Sequence, residues 1–193
     1  LIISCHADTG FAAHRLSRRD GVVTGHLDNF AGVHAVMNAY FSGRLDREGV
    51  RIELTEGEEV DLAGARRVQA TLDPQDWVVV VDVTGTPTDR AITIEKCGSP
   101  RVRAWVRESL QGLSWELHTG CPDPISDRDE CDVYRLTQAN VCFLGIPCTG
   151  GDYNAGEVSC RVESLAVASE ALLRLADRFL QTVRTSTKSA GRR

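Results

Sequence analysis

Short apolar runs alternate with longer amphipathic stretches along this chain. The runs LIISCHA, VRIELTE, WVVVVDV, AITIEKC, LSWELHT and NVCFLGI read as β-strands. WVVVVDV is apolar at successive positions, which predicts a central strand covered on both faces. Between the strands, NFAGVHAVMNAYFSGRL places Val33, Val36, Met37, Tyr40 and Phe41 at helical spacing. SPRVRAWVRESLQGL opens with a Ser-Pro start signal and carries Val102, Trp105, Val106 and Leu110 on one face. RVESLAVASEALLRLADRFLQTVR repeats the pattern with Leu165, Ala168, Leu172, Leu175 and Phe179. Strand and helix alternate, which predicts an α/β fold. The expectation is one domain over residues 1–184, with a mixed, mostly parallel sheet and helices on both faces. The basic end TSTKSAGRR, residues 185–193, reads as a disordered tail.

In sheets of this kind the ligand crevice lies outside the C-terminal strand ends. Those ends are unusually rich in metal-binding side chains. His6 closes the first run and Asp8 follows it; Glu58 and Glu59 follow the second; Asp82 ends the four-valine run. Asp28 stands just before a helix, where capping is its simplest role. Taken singly, each carboxylate reads equally well as a cap or a solvated turn. Taken together, one histidine and several carboxylates suit a divalent ion, zinc first and then cobalt or manganese.

Charge and cysteines narrow the partners. The net charge of -5 comes with no basic face, which argues against nucleic acid. No apolar run approaches the roughly 18 residues of a membrane span, so no membrane partner is expected. No signal peptide is visible, and the opening Leu1 lies inside a strand pattern, which predicts missing residues upstream. The seven cysteines are scattered, without a C-x-x-C pair. That fits a reducing, cytoplasmic setting better than a disulfide framework. Cys121, Cys131, Cys148 and Cys160 therefore read as small hydrophobes rather than thiolate ligands. No G-x-G-x-x-G or Walker A sequence follows any strand, so a nucleotide-binding domain lacks support.

The acidic motifs, in their order, resemble those of the dinuclear-zinc aminopeptidase and carboxypeptidase superfamily. HADTGF resembles its H-x-D motif, and GHLDNFAGVHA resembles its second motif, an Asp followed by a helix. TEGEEVDLAGA is similar to the general-base segment of the glutamyl-aminopeptidase branch, and VVVVDVT resembles that branch's fourth motif. The likeness runs to about Thr84, with a fainter echo from Asp127 to the last helix. It implies that His6 and Asp82 hold one metal, Asp28 bridges two, and Glu59 holds the second. Glu58 would be the general base, and Asp8 would accept the other ring N–H of His6. The resemblance also implies a cis peptide after Asp28, a peptide or small-amide substrate, and a homo-oligomer. The short interval between His6 and Asp28 resembles the compact single-domain branch, in which an acidic residue binds the substrate amine; Glu130 and Asp132 fall in that neighbourhood.

The pattern breaks at the fifth ligand, a histidine in the superfamily. Its place here falls on Asn154, within GIPCTGGDYNAGEV. Three readings stand open. Asp152 or Glu157 substitutes for it; the second site is weak; or the chain is an inactive relative that binds or assembles. His118 is another strand-end histidine, for which a structural role is the simpler reading. His14, His26 and His34 read as structural or surface residues.

Overall fold

The computed structural model describes residues 1–126 and 128–190, with side chains to residue 182. Asp127, where the fainter motif echo begins, lies outside the described residues, as do residues 191–193.

A nine-stranded mixed sheet carries helices on both faces. Its centre is parallel: β1 (Ile2–His6) lies between β4 (Arg51–Thr55) and β5 (Trp77–Thr84), and β5 pairs in turn with β8 (Asn140–Thr149). An antiparallel wing follows, in which β8 pairs with β9 (Val158–Arg161), then β3 (Val22–Gly25) and β2 (Leu16–Arg19). Lower on β8, the same edge pairs with β6 (Ile92–Glu95), which holds β7 (Trp115–Leu117). Parallel pairing is thus confined to the centre and to β6–β7, and half of the ladders are antiparallel.

Period-two alternation explains the two layers. Val79, Val81 and Val83 join Ile3 and Cys5 in the larger core. That core packs under α1 (Phe30–Phe41), α3 (Pro100–Ser109) and α5 (Val162–Ala190). Val78 and Val80 join Ile2 on the opposite face, under α2 (Ala63–Gln69) and α4 (Glu130–Tyr134). α3 starts as its sequence predicts: Ser99 accepts from the Val102 amide and Pro100 occupies the first turn. Trp77 meets Trp105 edge to face, 4.9 Å between centroids, and ties the start of β5 to this helix. The α5 backbone continues to Ala190, past position 185 where the sequence suggests a tail.

Candidate metal centre

The same alternation aims the key side chains. Ile2, Ser4 and His6 share one face of β1, as Val78, Val80 and Asp82 do on β5. Ile2 is registered with Val78 and Ser4 with Val80, so two residues further His6 comes beside Asp82 at the strand ends. His6 Nε2 lies 3.2 Å from Asp82 Oδ2 and 3.2 Å from Asp28 Oδ1.

Asp28 reaches this point because it is not the cap of α1. Asn29 is: its Oδ1 accepts from the Gly32 amide at 2.9 Å, while its Nδ2 donates to the Val81 carbonyl at 2.8 Å. The side chain of Asp28 is left to face His6 across a cis Asp28–Asn29 peptide bond.

Glu58 and Glu59 sit on a tight turn after β4. The Gly57 carbonyl accepts from the amides of Val60, Asp61 and Leu62, and Gly57 has φ +77°. Gly64 closes the turn from below. Its amide donates to the Glu56 carbonyl at 2.8 Å, and a Cβ there would lie 2.5 Å from that oxygen. Asp8 links the two halves of the site, with Oδ1 3.5 Å from His6 Nδ1 and accepting from the Glu58 amide at 3.4 Å.

These residues fit a divalent cation. His6 is 1% exposed, and neither of its ring nitrogens makes a well-formed hydrogen bond. Buried polar atoms in that condition call for a partner of another kind. His6, Asp28 and Glu59 each offer a ligand atom within 4.8 Å of the others. Nitrogen with carboxylate oxygen is a donor set that zinc accepts.

The electrostatics agree. Burial alone would depress the His6 pKa, yet Asp82 and Asp28 outweigh it and push the imidazole far up. Asp82 is raised by burial first and then by Asp28, with His6 opposing. The Glu58 carboxyl is pushed up to about 8, by burial first and then by repulsion from Asp82, with His6 opposing and Asp28 adding. Glu59 is also raised, by burial and Asp28, with the Gly10 amide opposing. A cluster that drives its histidine toward the cationic form lacks one positive charge.

Solved structures share this architecture. The TET1 peptidase of Pyrococcus horikoshii matches with a TM-score of 0.67 at 20% identity, over 84% of this chain and 52% of its own. An aminopeptidase from the archaeon Desulfurococcus kamchatkensis gives 0.67 at 16%, over 83% and 50%. An M18-family aminopeptidase from Thermotoga maritima gives 0.62 at 16%, over 84% and 48%. The fold is that of the aminopeptidases. At these identities the likeness is one of fold, and the chain spans about half the length of these structures. No protein-family model and no curated protein matches the sequence.

Within this aminopeptidase fold, Asp28, Glu58, Glu59 and Asp82 line one cavity of about 250 Å³, and Asn154 stands on its rim. Asp152 and Glu157 do not line it. Asp152 Oδ1 accepts from the Asn154 amide at 2.9 Å, and Glu157 faces Arg15 at 3.7 Å. Glu130 lies beneath the sheet at 1% exposure, accepting from Ser4 Oγ at 2.8 Å and from Thr55 Oγ1. Asp132 is engaged with Lys96 Nζ at 2.7 Å. His118 faces Glu116 at 3.6 Å on β7, outside the cavity lining. Sequence reasoning missed Asp129, Tyr153 and Phe143, which also line the cavity. It missed Asn29 as the anchor of Asp28 as well; the Asn-x-x-Gly spacing into an apolar helix was the available signal.

Proposed function

We propose that this protein is a metal-dependent, exopeptidase-like hydrolase that removes an N-terminal residue from a peptide or opens a small amide. The observation that carries this reading is the buried His6 Nε2, 3.2 Å from both Asp28 and Asp82, at the strand ends of an aminopeptidase fold. His6, Asp28, Asp82 and Glu59 would hold one or two ions, zinc first, with cobalt or manganese also suited to the donors. A metal held there would supply an activated water and a Lewis acid for the scissile carbonyl.

The chain's own residues do the rest. Glu58 takes the proton from the attacking water and returns it to the leaving amine, as a carboxylate lining the same cavity as Asp28 and Asp82 can do. Asp8 orients the His6 ring through Nδ1. Carboxylates outnumber the single Arg128 in the lining, which favours a substrate with a free amino group. Free cysteines throughout suit a reducing compartment such as the cytoplasm. Self-assembly belongs to the same proposal, since the TET1 peptidase forms a tetrahedron or an octahedral shell.

A second reading rests on Asn154. An amide on the cavity rim, where the superfamily resemblance expects a histidine, favours an inactive relative that binds or assembles. One experiment separates the two. Protein purified without chelator is analysed for metal and assayed on aminoacyl p-nitroanilides, beside Glu58→Gln and His6→Ala. The hydrolase reading expects cation-dependent turnover that Glu58→Gln lowers by at least about 10²-fold with metal retained. Metal binding through His6 without turnover favours the inactive relative. Metal content unchanged in His6→Ala refutes the assigned centre.

A further inference from the structure

Away from the candidate metal centre, the antiparallel wing holds a pair of thiols. Cys148, near the end of β8, and Cys160, on β9, are direct partners across the ladder. Partners in an antiparallel ladder have Cα atoms about 4.5–5.5 Å apart, within the span of a disulfide. Both side chains enter the same core layer, at 7% and 3% exposure. Being on the same face at paired positions, their Cβ atoms approach without any change of register.

The two sulfurs are not equivalent. Cys160 lines an apolar groove of about 390 Å³, between the β2–β3 hairpin and α1, that opens to solvent. Cys148 does not line it. Cys160 is thus the thiol that a reagent entering the groove meets first. Residues 150–157 connect the two strands, and Tyr153 and Asn154 in this loop reach the metal-site cavity.

We propose that Cys148 and Cys160 form a reversible cross-strand disulfide with a small-molecule disulfide as oxidant, stapling both ends of loop 150–157. The Cys160 thiolate attacks one sulfur of the reagent, breaking its S–S bond and releasing one thiol. Cys148 then attacks the Cys160 sulfur of the mixed disulfide and releases the second thiol. The protein gives up two electrons and two protons, and the reagent leaves as two thiols. This modification does not depend on the chain being a hydrolase.

The test treats the whole protein with cystamine, alkylates the remaining thiols under denaturing conditions, and digests with a glutamyl endopeptidase. Cleavage after Glu157 separates the two cysteines unless they are bonded. The expected product is a Cys148–Cys160 linked pair of peptides that a reductant separates. Amide hydrogen exchange should slow across 150–157 in the oxidised protein. Cys148→Ser should stop at a mixed disulfide on Cys160, and Cys160→Ser should leave Cys148 unmodified. Full alkylation of both residues, a stable mixed disulfide in the native chain, or pairing of either cysteine elsewhere overturns the proposal. A linked pair with unchanged exchange overturns the stapling.

Discussion

Replacing Gly32 by alanine should reverse the usual sign of a glycine substitution inside a helix. Alanine is ordinarily favoured there by about 1 kcal/mol. Here a Cβ on Gly32 would stand 2.1 Å from Asn29 Oδ1 and 2.8 Å from its Cγ. Asn29 has nowhere to go. It is 1% exposed, caps α1 and donates to the Val81 carbonyl. Loss of the cap costs about 1 kcal/mol, and loss of the buried bond to Val81 about 1–3 kcal/mol. Set against the propensity gain, the net destabilisation is about 1–3 kcal/mol, or roughly 2–12 °C in Tm for a chain of this size. Asp28 is bonded directly to Asn29, so its carboxylate moves as well, and zinc affinity should fall together with Tm. Thermal unfolding followed by circular dichroism in chelator measures the first effect, and isothermal titration with zinc the second. A Tm equal to or above that of the native chain, with zinc affinity intact, would refute this account of how Asp28 is held.

Three further perturbations test other parts of the structure. In chelator, the raised Glu58 carboxyl should make stability fall as pH rises from about 4.5 toward about 8, because the unfolded chain ionises first. Glu58→Gln should flatten that decline and be more stable than the native chain at pH 8 by on the order of 2 kcal/mol, after discounting for partial exposure; identical urea-unfolding profiles from pH 5 to 8 count against it. Lys96→Met should destabilise by about 3 kcal/mol, since Lys96 Nζ stands 2.9 Å from the buried Asp129 carboxylate. Adding Asp129→Asn should recover part of that loss in a double-mutant cycle, and strict additivity would refute the pairing. Asn154→His should raise the zinc stoichiometry measured by titration, and an unchanged count would show that the rim position is not a ligand position.

What the sequence revealed depended on burial. Strand β5 was legible because its alternate valines are all buried, whichever face they serve. Asp82 stood out for the same reason: a carboxylate continuing such a run must meet something charged. β2 escaped notice because all four of its residues are exposed, so no apolar alternation marks it. β9 and α2 are too short to establish a period. The burial of Glu130 was hidden for a different reason. Its local sequence is that of an exposed first helical turn, with Asp129 as cap. Only the tertiary contact with Ser4 and Thr55 shows that the turn faces inward.

The loop that carries Asn154 is anchored by a buried polar network. Tyr153, next to Asn154, is buried and donates its hydroxyl to Asp123 Oδ2 at 2.8 Å. The same oxygen accepts from the Gly85 amide at 2.7 Å and from Thr84 Oγ1 at 3.1 Å, both just beyond Asp82. Glu95 lies beside this network and accepts from the hydroxyls of Thr86 and Thr93. Buried polar networks of this kind fix a single arrangement more than they add net stability. Position 154 is therefore set against the cavity by the end of the strand that carries Asp82, independently of which side chain stands there. If the proposed metal site extends to this position, its affinity depends on the identity of that one side chain, while the placement of the loop depends on Tyr153 and Asp123. A Tyr153→Phe variant separates the two, since it loosens the loop without altering any candidate ligand.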